Sequence, residues 1–167
     1  IAHEAGVSLT LDDFNRIAGE TPQLAKLSPS GKYFIEDLHA AGGVYAVMHR
    51  LQEQGHLHEE AKSVSLVDQG TIAKTVKVLD EDVIHPWNDP VYTTGGIAVL
   101  KGNLAPDGSV VKEGAVDPEM LVHSGPAKVF NSEEEAVEAI MGHKIVKGDV
   151  VIIRYEGPKG GPGMREM

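Results

Sequence analysis

Residues 127–153, AKVFNSEEEAVEAIMGHKIVKGDVVII, decide the fold class. The segment Ala127–Phe130 has the composition of a strand, and Val150–Ile153 is an unbroken β-branched run typical of a strand covered on both sides. Between them, Ser132 followed three residues later by Glu135 is typical of a helix N-terminus. Strand, helix and strand in that order predict a mixed α/β layer.

The helix between these strands is predicted over about residues 133–142. Its apolar residues recur at helical spacing on one face, which consists of Ala136, Val137, Ile140 and Met141. The acidic run at residues 133–135 lies where the helix macrodipole favours carboxylates.

A second β signal lies upstream, where two glycines open the apolar run IAVL at residues 97–100. We expect a buried strand there. Residues 106–108, PDG, favour a turn because proline presets φ and glycine accepts positive φ. This turn separates the run from residues 109–111 and predicts a hairpin with a longer loop.

The first 60 residues are predicted to be helical. Thr10 with Asp13 resembles a capping box, and the apolar stripe that follows predicts a short helix over about residues 11–19. Helical spacing resumes after a turn at residues 28–31. The glycine pair at residues 42 and 43 predicts a kink or an interruption in that second helix.

The pattern changes past His58. Between residues 63 and 80 neither the strand period nor the helix period holds for long, which indicates a junction between two modules. From Ile84 onward the sequence is β-rich. The predicted fold class is therefore α/β, with a helical N-terminal segment followed by a β-rich part.

Composition excludes several classes of function. The chain carries 15 basic and 25 acidic residues, a formal charge of −10, so nucleic acid, which is bound by Lys and Arg neutralising phosphates, is not an expected partner. No run approaches the ~20 apolar residues of a membrane span. The 167 residues contain no cysteine, which excludes a disulfide scaffold, a thiolate nucleophile and an iron–sulfur site built wholly from this chain. Nothing near Ile1 resembles a signal peptide, and we expect the sequence to be a piece of a longer polypeptide.

The densest functional candidate is the stretch YEGPKGGPGMREM at residues 155–167. Gly160, Gly161 and Gly163 follow shortly after a predicted strand, where their backbone N–H groups could approach a ligand and form an anion-binding nest. The pattern matches neither the GxxxxGK[ST] phosphate loop nor the GxGxxG dinucleotide loop. An ordinary flexible connection is the alternative interpretation.

Two sets of residues are candidate metal ligands. Glu166 could bind Mg²⁺, which proteins hold through few carboxylates together with water and substrate; a solvated surface carboxylate is the alternative. His56 and His58, beside two glutamates, also suggest a metal site. Their i, i+2 spacing does not place both on one helix face, so surface histidines are the better interpretation. Spacing alone defines no set of nucleophile, base and orienting residue.

Five longer strings resemble the dihydroxy-acid dehydratase family, which includes phosphogluconate and sugar-acid dehydratases. The strings follow the family's order along essentially the whole chain. They are DDFNRI (12–17), LSPSG (27–31), GGIAVLKGNLAPDG (95–108), HSGPAKVF (123–130) and RYEGPKGGPGMREM (154–167). The last string is long enough to be highly specific.

The resemblance implies a hydro-lyase that removes water from a 2,3-dihydroxy carboxylic acid to give a 2-oxo acid, in valine, leucine and isoleucine biosynthesis. It implies two cofactors, an iron–sulfur cluster and Mg²⁺. Hydroxide is a poor leaving group and a C–H beside a carboxylate is a poor acid, so both need charge stabilisation. The string LTLDDF at residues 9–14 favours the branched-chain pathway over the alternative, a sugar-acid or phosphogluconate dehydratase.

The resemblance transfers few functional residues to this chain. Of the family's functional residues only the Mg²⁺ ligand maps here, onto Glu166. The cluster cysteines and the catalytic serine have no counterpart, so we expect no catalytic residue in this chain and no activity of the chain alone. The resemblance also implies that residues 1–83 are the C-terminal part of the iron–sulfur domain. Residues 84–167 would then be a truncated, β-rich swivel-type (β/β/α) domain.

The implied partner is a small-molecule dihydroxy acid, with neither nucleic acid nor membrane expected. The whole protein is expected to be a homo-oligomer in the cytoplasm, or in an organelle of a eukaryote. A non-catalytic interaction module on the same scaffold is the alternative, and the lack of cysteine is its main support. Without a partner domain, the helices of residues 1–60 should expose an apolar face and favour self-association.

Overall fold

A computed structural model describes residues 1–157 and divides the chain into two compact units, Ile1–Val116 and Asp117–Met167. The helices are α1 (Leu11–Glu20), α2 (Ile35–Ala40), α3 (Gly43–Glu53), α4 (Gln69–Lys74) and α5 (Glu133–Met141). The strands are β1 (Ala98–Leu100), β2 (Ser109–Val111), β3 (Ala127–Phe130) and β4 (Val150–Ile153), and two short 3-10 helices span Glu113–Ala115 and Pro118–Met120. Within the described residues, no helix combines the length and the hydropathy needed to cross a membrane.

The predicted capping box at the start of α1 is confirmed. The Thr10 Oγ1 atom accepts a hydrogen bond from the Asp13 backbone N–H at 3.3 Å, and the Asp13 carboxylate accepts one from the Thr10 backbone N–H at 2.8 Å. These two bonds satisfy two N–H groups that the helix itself leaves without partners. The helix then runs to Glu20, one residue past the predicted end.

The predicted interruption of the second helix is also confirmed. Gly42 and Gly43 adopt φ values of 117° and 72°, a region that residues with a Cβ rarely occupy. A Cβ on Gly42 would lie 2.6 Å from the Lys77 carbonyl oxygen and 2.7 Å from the Ala46 Cβ. The pair therefore ends α2, begins α3 and permits a close approach of the chain near Lys77.

The hydrophobic core of the first unit gathers residues from distant parts of the sequence. It consists of Leu38, Ala41, Ala46, Val83 and Ile84, all of them buried. Ile84, where the sequence becomes β-rich, lies in this helical core and not in a strand, and the first strand begins at Ala98. The prediction of a strand-rich region from residue 84 was therefore placed too early, because apolar composition alone does not distinguish a core-filling loop from a strand.

The predicted hairpin is present as an antiparallel pair of β1 and β2, with Val99 opposite Val110. The turn includes Gly108, whose φ of 110° requires glycine. Burial along β1 was predicted wrongly, since Val99 is 6% exposed and Leu100 is 55% exposed. A two-stranded ribbon has one face against a partner element, so only one side of the strand is covered.

That covering element is α1, and a single side chain joins it to β1. The Asn15 Nδ2 atom donates to the Val99 carbonyl at 3.1 Å, and the Asn15 Oδ1 atom accepts from the Val99 N–H at 2.8 Å. The amide thus makes the pair of bonds that a neighbouring strand would make at this edge. Other contacts reinforce the join, because the Gly95 N–H donates to the Ala18 carbonyl at 2.7 Å and Lys101 pairs with Asp12 at 2.7 Å.

The second unit contains the predicted strand–helix–strand order. Strands β3 and β4 are parallel, with Ala127 opposite Val150, and α5 lies between them in sequence. Ser132 caps the helix as predicted, since its Oγ atom accepts from the Glu135 N–H at 3.2 Å. The βαβ connection is the ordinary way to join parallel neighbours.

Burial in this unit departs from the sequence pattern at α5 and at β4, where the prediction of a strand covered on both sides was wrong. The buried residues of α5 are Ala136 and Ala139, whereas Val137, Ile140 and Met141 are exposed. Val151 of β4 is 37% exposed, so this strand is not covered on both sides among the described residues. A sheet of two four-residue strands covers only a narrow stripe of a helix, and the small alanines occupy it.

The helices of the first 60 residues expose apolar side chains, as predicted. No residue of α1 is buried, and Phe14 and Ile17 are both exposed. On α3 the same is true of Val44 and Tyr45. Self-association through these residues stays a prediction.

The two hydrogen bonds between Asn15 and Val99 predict an effect on the free energy of unfolding. Asn15→Ala should lower the free energy of unfolding of the first unit by about 1–2 kcal/mol, because two backbone groups of β1 lose their partners even though alanine is the better helix former. Urea unfolding measures this change. Asn103→Ala, on an exposed loop of the same unit, is the control. Equal stabilities for the two variants would contradict the role of Asn15.

The capping box predicts a pH effect. Hydrogen bonds from the Thr10 side chain and from its backbone hold the pKa of Asp13 below the usual value for aspartate. A depressed pKa means that this stabilisation is present above the unfolded-state pKa and is lost as the pH falls through the folded-state pKa. Thr10→Val should return the pKa of Asp13 towards its usual value, measured by NMR titration of the carboxyl carbon. Thr93→Val, an exposed position, should leave that pKa where it is.

Candidate functional site

The segment that leaves β4 is fixed to the end of β3 by two hydrogen bonds. The Arg154 backbone N–H donates to the Phe130 carbonyl at 3.0 Å. The Arg154 Nε atom donates to the Asn131 Oδ1 atom at 2.6 Å. The carboxyl ends of the two parallel strands are therefore held side by side, and the chain continues from them towards the glycine-rich stretch.

The next two residues redirect the chain towards α5. Tyr155 has a φ of 68°, which is uncommon for a residue with a side chain, and the Arg154 guanidinium lies 4.9 Å from its ring centroid. The Glu156 Oε1 atom accepts a hydrogen bond from the Glu133 backbone N–H at 2.9 Å. Glu156 therefore acts as a cap in the first turn of α5, supplied from 23 residues away.

The amino end of α5 is occupied by oxygens of this chain. In addition to Glu156 and the Ser132 cap, the Glu135 carboxylate accepts from the Asn131 N–H at 2.8 Å. Carboxylates at this position are favoured by the positive end of the helix dipole. The helix end thus serves to anchor the segment after β4.

The predicted site residues Gly160, Gly161, Gly163 and Glu166 lie outside the described residues. The described chain reaches Gly157, just beyond the carboxyl ends of β3 and β4. Ligands of α/β sheets commonly bind at the carboxyl ends of parallel strands. The end of the described chain therefore lies at the kind of position where ligands of such sheets bind.

One of the two histidines that suggested a second metal site, His56, has an aromatic partner. The His56 ring stacks on Trp87, with ring centroids 4.7 Å apart and planes 29° apart. The neighbouring Glu59 pairs with the Lys74 ammonium at 2.9 Å, and hydrogen bonds from Lys74 and then Gln52 lower the pKa of Glu59. Among residues 1–157 no group of three or more His, Asp or Glu side chains is arranged to hold a metal ion.

Sequence reasoning did not find the pairings of His56 with Trp87 or of Glu156 with Glu133. Each pair joins positions more than 20 residues apart. Neither lies in a motif of fixed spacing, so nothing local indicated them.

Fold and site together define a mixed α/β protein with a parallel strand pair that leads into a glycine-rich, glutamate-containing stretch. Two family models match this chain: the dihydroxy-acid/6-phosphogluconate dehydratase N-terminal model over residues 1–72, and the C-terminal model of the same family over residues 82–167. The chain belongs to the dihydroxy-acid/6-phosphogluconate dehydratase family. The resemblance stated from the sequence strings is thereby confirmed.

Curated relatives carry a more specific name. Proteins named dihydroxy-acid dehydratase from Caldanaerobacter subterraneus subsp. tengcongensis, Pyrococcus furiosus and Caldicellulosiruptor saccharolyticus are 60%, 56% and 54% identical to this chain over 167 residues. Each alignment covers the whole of this chain. The chain spans 30% of the length of each of these relatives.

The Glu156 cap predicts a local effect on α5. Glu156→Ala should speed hydrogen exchange of the Glu133 amide by about fivefold to tenfold, equivalent to about 1 kcal/mol, because the amide loses its acceptor. Glu156→Gln, which keeps an acceptor oxygen, should restore most of the protection. Exchange followed by NMR is the measurement, with Glu138→Ala on the exposed face of α5 as the control. Unchanged exchange in Glu156→Ala would remove the anchoring role.

Proposed function

We propose that this chain is part of a dihydroxy-acid dehydratase that converts a 2,3-dihydroxy carboxylic acid to a 2-oxo acid and water in branched-chain amino acid biosynthesis. The observation that carries the proposal is the 60% identity to a protein of that name over all 167 residues. The family models support it, since they match the two ends of the chain in order.

The proposed contribution of this chain is binding and not proton transfer. Gly160, Gly161 and Gly163 would offer backbone N–H groups to the carboxylate of the substrate, and Glu166 would be one ligand of Mg²⁺. A carboxylate is the oxygen donor that Mg²⁺ prefers, so the residue type fits. Bound Mg²⁺ supplies charge stabilisation to substrate oxygens. Residues 1–157 present no cluster of metal ligands, so the remaining ligands would come from outside them.

The iron–sulfur cluster implied by the resemblance does not fit the residues of this chain. Such clusters are held by cysteine thiolates, and the 167 residues contain none. The proposal assigns the cluster ligands and the base that removes the C2 proton to polypeptide outside this chain, and expects the chain alone to be inactive.

We also propose the family's domain division, with residues 1–83 belonging to the cluster domain and residues 84–167 to a swivel-type domain. The matched N-terminal model ends at residue 72 and the C-terminal model begins at residue 82, which supports a division near residue 83. In the described structure Val83 and Ile84 pack with α2 and α3, so the division separates family modules and not hydrophobic cores. The resemblance also supports a cytoplasmic, homo-oligomeric whole protein.

A second candidate function is dehydration of a sugar acid or of 6-phosphogluconate. The description of both matched models names 6-phosphogluconate dehydratase beside the dihydroxy-acid enzyme. The names of the curated relatives favour the first function. A panel of both substrate classes separates the two, because substrate contacts, more than the shared metal ligand, set specificity.

A graft tests the proposal. The 167 residues would replace the aligned segment of the Caldanaerobacter relative, and the hybrid should dehydrate 2,3-dihydroxyisovalerate while this chain alone should not. Glu166→Gln in the hybrid should lower kcat/KM by at least roughly 100-fold and raise the Mg²⁺ concentration needed for half-maximal activity, because one charged ligand is lost.

The matched control is Glu138→Gln, which removes a carboxylate from the exposed face of α5 and should leave both measurements unchanged. A folded hybrid without dehydratase activity would favour the non-catalytic interaction module. Turnover by this chain alone would contradict the placement of the cluster ligands and the base outside it. An unchanged Mg²⁺ requirement in Glu166→Gln would remove Glu166 from the metal site.

A further inference from the structure

A cleft in the first unit collects basic side chains in an otherwise acidic chain. The cleft has a volume of about 300 Å³, and its lining includes Lys26, Lys32, Tyr33, Asp82 and His85. This volume is at the lower end of the range for small-molecule sites. Nothing in the family match or in the sequence motifs assigns a role to it.

The loop of residues 27–33 brings the two lysines together. A backbone bridge joins Leu27 to Tyr33, and the Ser28 N–H donates to the Tyr33 carbonyl at 2.6 Å. Since Lys26 and Lys32 each precede one residue of this bridge, both line the same cleft. The part of the lining that contains His85 is connected to the segment before Lys26, because the His85 N–H donates to the Leu24 carbonyl at 2.7 Å.

A tyrosine contacts each of these two ammonium groups. The Lys26 Nζ atom donates to the Tyr92 hydroxyl at 2.7 Å and lies 4.9 Å from the Tyr92 ring centroid. The Lys32 Nζ atom lies 4.6 Å from the Tyr33 ring centroid. An aromatic ring orients a cation without cancelling its net charge, so both ammonium groups are held in place and stay available to an anion.

Three of the five other lysines in the first unit form ion pairs, and Lys77 and Lys112 form none within 4.0 Å among the described residues. Lys62, Lys74 and Lys101 each contact an Asp or Glu carboxylate within 2.9 Å. In residues 1–157, no ion pair within 4.0 Å involves Lys26 or Lys32. The Asp82 and Asp80 carboxylates also act on the Lys32 ammonium and, after its contact with Tyr33, raise its pKa. Two ammonium groups that share one cleft and have no carboxylate within 4.0 Å still favour an anionic ligand in a chain with a formal charge of −10.

Two other lining residues, Asp82 and His85, offer hydrogen-bond acceptors. The His85 Nδ1 atom contacts the Asp89 carbonyl at 3.1 Å, which requires the proton on Nδ1 and leaves Nε2 of the neutral ring as an acceptor. The Asp82 carboxylate also lines the cleft and accepts hydrogen bonds. Asp82 would repel an anion that has no hydrogen-bond donor. A ligand that also carries a hydroxyl group would donate a hydrogen bond to Asp82 or His85.

We propose that this cleft binds a small oxyanion that carries a hydroxyl group. Lys26 and Lys32 bind the carboxylate or phosphate, and the hydroxyl group donates a hydrogen bond to Asp82 or His85. The site lies in the first unit and uses none of the residues proposed for dehydration.

Calorimetric or NMR titration of the 167-residue chain tests the site with two pairs of probes. Glycerate is compared with propionate, which lacks its hydroxyls, and glycerol 3-phosphate is compared with propyl phosphate. The hydroxylated member of at least one pair should bind saturably below about 10 mM, at least about fivefold more tightly than its partner. The pair that binds more tightly distinguishes a carboxylate ligand from a phosphate ligand.

Variants then locate the binding. Lys26→Gln and Lys32→Gln should each weaken binding at least about fivefold, and Lys26→Arg should retain it. Asp82→Ala, which removes the acceptor oxygens, should reduce the preference for the hydroxylated probe. Lys62→Gln, which alters an ion pair outside the cleft, and Glu166→Gln should change neither affinity nor preference. Circular dichroism confirms that each variant is folded.

Three outcomes would overturn the proposal. They are an absence of saturable binding by either hydroxylated probe, binding that neither lysine variant weakens, and equal affinity for the hydroxylated and plain members of both pairs. Loss of binding in Glu166→Gln would place the ligand at the proposed magnesium site instead. A failure of dehydratase activity in the graft leaves these binding measurements untouched, so the two proposals fail independently.

Discussion

The bidentate contact between the Asn15 amide and the Val99 backbone is the constraint on which the first unit depends. This contact fixes β1 of the hairpin to α1, although Asn15 and Val99 are 84 positions apart in the sequence. The geometry works because a carboxamide carries a donor and an acceptor side by side, the same pair that an adjacent strand presents. With the edge of β1 satisfied in this way, only Val99 of that strand needs to be buried, and the short ribbon is sufficient.

In the second unit, backbone groups also form hydrogen bonds with residues that are distant in the sequence. The carboxylate of Glu156 reaches the first turn of α5, and Arg154 binds at the end of β3. Both contacts act on the chain immediately before the glycine-rich stretch. The described chain therefore ends near the carboxyl ends of two parallel strands, a position where ligands of such sheets commonly bind.

Local signals in the sequence predicted the elements well. The capping box of Thr10 and Asp13, the break at Gly42 and the turn at Gly108 were all predicted from residues a few positions apart, and each is present. The order of strand, helix and strand was predicted for the same reason. Burial follows less directly from the sequence: the alanines of α5 are buried and its larger apolar residues are exposed, because burial depends on the width of the surface that the helix meets.

The sequence by itself determined the helix caps, the turns, the order of elements and, through five strings, membership of the dehydratase family. Each of these rests on residues close together in the chain or on identity at fixed positions. Only the tertiary structure decided that Asn15 closes the edge of β1, and that Lys26 and Lys32 share a cleft with Asp82. Such pairings depend on which distant segments pack together, and no spacing rule along one sequence contains that information.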